Sequence, residues 1–480
     1  MKQYVLPLVL IAFCSTARAQ QNVAVTDKMK TAAMQHLDKD YGTYKKIALD
    51  IWKFAEVGFK EVKSSSLLQN TLKQNGFTVT AGIAGMPTAF VASYGKGKPV
   101  IALLAEYDAL PGLSQGAVPT KAALDGATAG HGCGHHLFGA ATVAAGIELK
   151  QWMEQNKVSG TIRVYGCPAE EGGSGKVYMV REGLFADVDA ALHWHPGNDN
   201  RVLQAGFLAN SSAKFRFHGV SSHAAASPQK GRSALDAVES MNFMVNMMRE
   251  HVPQETRIHY IITNGGKAPN VVPDFAEVYY YVRHPNKDEV QQIFQRVVKT
   301  AEGAALGTGT TMDFEPIGGT HDLLLNPALE GAMQKNLLLV GGVRYNEEEI
   351  AFGKKLQPTF GFAAPELAEA STIKPLQFEP GGGSTDVGDV SYAVPTVGLQ
   401  AATWIPGTPA HSWQAVACGG TEIGTKGMMV AAKTITLTAM DLLTNPVLLQ
   451  NAKTAFAKAK GTYQYKPLLG NRKPALNYRD

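Results

Sequence analysis

Three short apolar runs, each opening into a cluster of ionisable or metal-binding side chains, constrain this chain most. PVIALLA (99–105) leads into Glu106-Tyr107-Asp108, TIRVYG (161–166) into Glu170-Glu171, and VDAAL (188–192) into His193-Trp194-His195-Pro196. Between the first two lies HHLFGAATVAAGIELKQWMEQ (135–155), a small-residue-rich helical pattern entered through His131-Gly-Cys133-Gly-His135-His136. Further helical patterns cover 45–55 and 64–75, the second stopped by Gly76. Strands alternating with helices predict an α/β fold with a mixed, mostly parallel sheet flanked by helices. Ligands bind such sheets beyond the carboxyl ends of the strands. The clusters are therefore expected to share one site.

From about Ser211 the pattern changes. AKFRFHGV alternates like a half-buried strand and SALDAVESMNFMVNMMREHV reads as a helix. Two strands, ETRIHYIITN and AEVYYYVRH, follow around a loop, then the helix DEVQQIFQRVVKTAEGAAL and the strand TTMDFEPI. The order β-α-β-β-α-β predicts a ferredoxin-like α+β unit at 210–322, inserted into a catalytic domain made of 20–209 and 323–480. Met241, Met244, Met247 and Met248 fall at helical spacing, as core or subunit-interface residues do.

The first residues, MKQYVLPLVLIAFCSTARAQ, combine a basic start, a short apolar run and Ala17-Arg18-Ala19, the pattern of a cleavable export leader over 1–19. That run is about half the roughly 20 residues a membrane span needs, so a soluble periplasmic or secreted protein is expected. Of the 4 cysteines, Cys14 would leave with the leader, and the odd remainder makes a poor disulfide framework. The formal net charge is +4 with no long Lys/Arg block, which argues against a nucleic-acid partner.

Singly, each cluster has a plainer explanation. A histidine near a strand end is commonly a hydrogen-bonded structural residue, and a Glu-Glu pair is commonly a solvated surface. Jointly, thiolate, imidazole and carboxylate at successive strand ends are the donor set of a borderline divalent cation such as Zn²⁺. The Gly-rich stretch 381–389 lacks the spacing of a phosphate-binding loop, and no G-x-S-x-G elbow occurs.

GHGCGHH, CPAEEGG, HWHP and AHSW, in this order around an inserted α+β segment, resemble the M20 metallopeptidase family. The likeness is to its amidohydrolase branch and, within that, the aminobenzoyl-glutamate utilization group. The resemblance runs from about Lys45 to Met440. It implies a catalytic domain with two divalent metal ions, Zn or Mn, and a lid that forms a homodimer, with a related companion subunit as a further partner.

Carried onto this sequence, the resemblance implies Cys133, His135, Glu171, His195 and His411 as metal ligands. Glu170 becomes the general base, taking a proton from the attacking water and returning it to the leaving amine. Asp108 becomes the carboxylate that orients the site. Glu106 stands where the branch usually has Asp, and His193 is additional, an alternative or supplement to His195. Glu170 and Glu171 are expected to diverge as neighbours in an extended segment do. In the lid, His223 is implied to reach the partner's site and support the oxyanion, Asn270 and Arg283 to hold a substrate carboxylate, and His218 to be structural. Ser384 and Asp386 are implied to line the metal cleft. The implied reaction is hydrolysis of a small N-acyl or N-aroyl amino acid, p-aminobenzoyl-glutamate above all. A dipeptide exopeptidase and a non-catalytic binding protein are the alternatives.

Overall fold

A computed structural model describes residues 24–204 and 206–479. The expected leader over 1–19, and Cys14 with it, lies outside the described residues. In chain order the strands are β1 (Thr78–Ala81), β2 (Phe90–Lys96), β3 (Val100–Ala105), the two-residue pair β4 (Leu110–Pro111) and β5 (Ala129–Gly130), β6 (Gly160–Gly166), β7 (Ala190–Gly197), β8 (Arg201–Val202), β9 (Ala209–His218), β10 (Arg257–Asn264), β11 (Phe275–His284), β12 (Thr311–Thr320) and β13 (Thr396–Ala402).

The larger sheet has seven strands in the order β1-β2-β6-β3-β7-β13-β8. Its centre, β6-β3-β7-β13, is parallel, and β1, β2 and β8 are antiparallel additions at its edges. Continuous apolarity is what a strand buried on both faces requires, and all six residues of β3 are buried. The pleat sorts them: Ile101, Leu103 and Ala105 enter one core, Val100, Ala102 and Leu104 the other. The first core is closed by the helices His135–Asn156 and Glu422–Thr444, the second by Gly175–Arg181 and Val387–Ala393.

β13 enters between β7 and β8 only after the whole second sheet has been made, so chain on both sides of that sheet completes the first. The second sheet runs β10-β11-β9-β12 with every neighbouring pair antiparallel. With the helices Ala234–Met248 and Lys287–Thr308 on one face, this is the expected ferredoxin-like arrangement. It has its own core, built on Phe215, Val278, Val282, Val238 and Ile293. Of the four methionines, Met241 and Met248 are buried there, whereas Met247 is 59% exposed.

Two expectations need correction. The run 188–192 does not end before the histidines: β7 continues through His193 and His195 because β13 pairs alongside, His193 opposite Gly398 and His195 opposite Gln400. Nor is the Glu170-Glu171 segment extended. It bends through one tight turn, Glu170–Gly173, in which Glu171 (ψ 69°) and Gly172 (φ 87°) leave helical geometry, between left-handed Ala169 (φ 55°) and Ser174 (φ 57°). Cys133, Cys167 and Cys418 are buried and free. Among the described residues no helix is long and apolar enough to cross a membrane.

Candidate active site

Where β3, β6, β7 and β13 end, the large sheet opens into a cleft of about 530 Å³, faced on its far side by β9, β11 and β12. Strand alternation delivers the histidines to it. Leu192 and Trp194 point into the first core, so His193 and His195 point the other way, and both line the cleft.

Cys133, His135, Glu170, Glu171, His195 and His411 converge, although they come from separate segments. Cys133 Sγ lies 3.4 Å from His195 Nε2, His135 Nε2 3.1 Å from Glu106 Oε2, and His411 Nε2 3.1 Å from Glu171 Oε1. Ligand atoms fall within 4.8 Å of one another in three groups: Cys133–His135–His195, Cys133–Glu171–His411 and Glu106–His135–Glu170. His193 belongs to none of the three.

The donor set fits a divalent metal on a second count. Glu106 Oε2, His135 Nε2 and Glu171 Oε1 are buried without a hydrogen-bond partner, although donors and acceptors stand 3.1 Å away. Buried polar atoms are rarely left so. Two ligands bound to one ion at about 2.0–2.3 Å sit roughly 3–3.5 Å apart, which is how these atoms are spaced. Burial pushes the Cys133 thiol well above its ordinary range, with Glu171 and Glu170 adding to the rise against the pull of His135. A thiolate here needs a cation beside it.

Neighbours fix the orientation of the candidate ligands. Asp108 is buried and accepts from His135 Nδ1 at 2.8 Å and from the Glu171 amide at 2.9 Å. One carboxylate thus holds two candidate ligands and leaves His135 Nε2 bare towards the cleft. Burial alone would raise the Asp108 carboxyl, but His135, the Glu171 amide and Lys176 prevail and hold it below the usual range. His195 is oriented the same way, donating from Nδ1 to the Pro196 carbonyl at 2.7 Å. His411 adopts φ 55° and is pinned by its amide to the Gly132 carbonyl at 3.0 Å. Left-handed backbone is costly for a non-glycine residue and persists where surrounding contacts enforce it. Ala169, Ser174 and His411 are three such residues at this one site.

The other two histidines of the Cys133 motif face away. His131 Nε2 donates to the Ile51 carbonyl at 3.1 Å and His136 Nε2 to the Gly419 carbonyl at 3.0 Å. Burial pushes His131 down to about 3. Burial, then the charges of Lys176 and His195, also push His193 down to about 3. It is a neutral imidazole lying over Gly398, where a Cβ would come within 2.2 Å of its Nε2.

Lys176 has no counterpart in the sequence expectations. Fully buried, it donates to Glu106 Oε1 at 2.6 Å and Asp386 Oδ1 at 2.7 Å. Burial disfavours its charge, yet Asp386 and Glu106 hold its pKa well above the ordinary value. A lysine inside the otherwise apolar stretch KVYMV was the available signal. Glu170 borders this triad. Burial first, then Glu106, Glu171 and Asp386, push its carboxyl well above the usual range.

Among the lid residues, Arg283 lines the cleft beside Tyr281, with its guanidinium 5.3 Å from that ring and its Nε buried without a partner. Ser384 and Asp386 line it too. His223 and Asn270 do not. They are exposed on adjoining loops, joined by the Ala224 amide to the Asn270 carbonyl at 3.0 Å, and are absent from the cleft wall of their own chain. His218 bonds Asp313 at 2.7 Å across β9 and β12, the structural part expected of it.

The M20 profile described as a peptidase dimerisation domain matches residues 209–308. Over 457 residues the chain is 43% identical to a p-aminobenzoyl-glutamate hydrolase subunit of Escherichia coli (strain K12), covering 89% of this chain and 95% of that protein. It is 28% identical to the Xaa-Arg dipeptidase of Mus musculus, covering 91% of this chain and 94% of that one. A solved structure of a dinuclear metal-binding peptidase of the M20 family from Bacillus subtilis shares the fold, with a TM-score of 0.55 at 18% identity, covering 86% of this chain and 99% of that one.

Proposed function

Because the chain belongs to the M20 family of metal-dependent peptidases and amidohydrolases, we propose that it hydrolyses the amide bond of N-aroyl amino acids, p-aminobenzoyl-glutamate first among them. The convergence of Cys133, His135, Glu171, His195 and His411 around Glu170, with Arg283 in the same cleft, carries this reading. Two divalent cations, Zn or Mn, would be held by the groups Cys133–His135–His195 and Cys133–Glu171–His411. When bound, they supply Lewis-acid polarisation of the scissile carbonyl and lower the pKa of water. Asp108 keeps His135 and Glu171 aimed. Glu170 takes the proton of the attacking water and delivers it to the leaving nitrogen, and Arg283 forks onto the substrate carboxylate.

The assembly we propose is a homodimer through the lid, with His223 and Asn270 of each chain completing the partner's cleft. Phe243 (63% exposed) and Met247 (59%) on the helix Ala234–Met248, with Ile261 and Ile262 on the edge strand β10, offer the apolar surface it needs. A companion subunit is the further partner, and export by a leader over 1–19 is part of the same reading.

The Xaa-Arg dipeptidase relative favours a second reading, exopeptidase action on dipeptides. A free α-amine would call for an acid near the lid, whereas the acids lining the cleft, Glu106, Glu170, Glu171 and Asp386, all belong to its metal end. Comparing dipeptides with their N-acylated forms separates the two. Metal-loaded protein should cleave the acylated forms and lose activity to a chelator. Inactivity across the panel after Zn²⁺ or Mn²⁺ loading would sink the proposal. Glu170→Gln should lower kcat by about 10²–10⁴-fold with metal per chain unchanged, and loss of metal would reassign Glu170 as a ligand.

A further inference from the structure

The segment that follows the helix Pro446–Lys460 returns to the cleft along a built path. Tyr463 and Tyr465 bond the buried His321–Asp389 pair at 2.9 and 2.7 Å, where β12 hands the chain back to the large sheet. Arg472 donates to the Ile317 carbonyl at 2.7 Å and to Glu315 at 2.9 Å, both on β12. Tyr478 meets Phe59 edge-on with ring centroids 5.6 Å apart and donates to the Glu171 carbonyl at 2.9 Å. At Gly58 a Cβ would lie 2.2 Å from the Tyr478 hydroxyl, so the route needs a residue without a side chain there.

This path ends with Arg479 in the wall of the metal cleft. Its Nη2 also reaches the Glu171 carbonyl, but its Nε is buried and has no partner. Arg283 lines the same cleft with its own Nε in the same condition. A guanidinium carries five donors, and leaving one buried and unmet is costly. The ligand that answers two such forks is one with two anionic groups. Arg283 accounts for one of them, the carboxylate of the amino acid being released.

We infer that Arg479 binds a second carboxylate, on the side chain of the released amino acid, and so selects N-acyl derivatives of acidic amino acids over neutral ones. The inference rests on the amidohydrolase reading and adds to it the residue that sets the specificity. Arg479 touches substrate and does no chemistry, so its loss should appear in KM more than in kcat.

The test compares N-aroyl-glutamate with N-aroyl-glutamine, a neutral substrate of nearly the same shape, on metal-loaded enzyme. Wild type should prefer the glutamate form. Arg479→Ala should lower that preference in kcat/KM by roughly 10- to 100-fold, the worth of a charge-assisted hydrogen bond, mainly through KM. Arg479→Lys should keep part of it, and Arg479→Glu should reverse it. Metal per chain, measured in parallel, should stay constant. An unmoved preference in Arg479→Ala would overturn the inference alone. So would an equal fall of kcat on both substrates together with metal loss, which would reduce Arg479 to a prop for Glu171. Wild type cleaving neither substrate would overturn the amidohydrolase reading and this inference with it.

Discussion

Asp108 and Lys176 show at the scale of single residues how a buried charge is made tolerable here. Asp108 is surrounded by donors, and its two oxygens are spent on two candidate ligands. Lys176 sits between Glu106 and Asp386, so the site holds a buried cation of the chain's own beside the place proposed for the metals. Removing one partner of a buried ion pair strands the others in a medium that solvates them poorly. Lys176→Met should therefore cost about 3–5 kcal/mol, read as a shift of the denaturant midpoint, and lower metal affinity because Glu106 loses its anchor. A midpoint within a few tenths of a kcal/mol of wild type would show that the triad contributes nothing net. Glu106 meets Lys176 and His135 at once through its two carboxylate oxygens.

Among the elements, β7 and β13 form one device. Their parallel register sets His193 across from Gly398 and His195 across from Gln400, and the pleat keeps both imidazoles on the cleft side. The absence of a side chain at Gly398 makes room for the first of them. Gly398→Ala would place a Cβ 2.2 Å from His193 Nε2, forcing the ring towards the cleft. Overpacking of this kind costs about 1–3 kcal/mol, and calorimetric unfolding should show it together with a raised KM. The segment after β6 works differently. Its left-handed Ala169 and Ser174 bracket a single turn, so Glu170 and Glu171 part company through backbone geometry and not through strand alternation.

At the scale of the whole molecule, both sheets line the cleft, and the proposed dimer would add a second copy of the chain to it. If His223 of one chain serves the other, Glu170→Gln and His223→Ala proteins, each nearly inactive alone, should regain activity when mixed and allowed to exchange subunits. One site of each mixed dimer would then be intact. Activity that stays additive would place His223 outside the reaction. Stability should also depend on pH through buried carboxyls outside the candidate ligand set. Glu148 is buried on the helix His135–Asn156, 3.3 Å from His36, and burial, then Asp40, push it up to about 8. Between its unfolded value near 4.5 and about 8 the native state keeps a proton that the unfolded chain has lost, so stability falls as pH rises through that window. Glu61 acts in the same sense, pushed up to about 8 by burial and then Asp108. Glu148→Gln should reduce the slope of melting temperature against pH between about 5 and 8, and a slope equal to that of wild type would refute the assignment.

The order of elements and the ferredoxin-like insertion were legible in the sequence because each is written in local pattern, and the ligands that the resemblance implies stand in short motifs. Strand runs are continuous apolar stretches, the insertion announces itself by a change of period, and the cysteine, histidines and glutamates fall in short motifs at strand ends. What no local pattern could decide is which neighbours a side chain meets after distant segments are brought together. The resemblance singles out His135, and the tertiary structure supplies the physical difference: Asp108 holds His135, whereas the Ile51 and Gly419 carbonyls take His131 and His136. Lys176 and Arg479 likewise look like ordinary basic residues until the fold sets one between two buried carboxylates and the other in the cleft wall. The physical reason is the same throughout: hydrophobic periodicity acts between neighbours in sequence, whereas the charge, tautomer and aim of a buried polar group are set by what touches it across the chain.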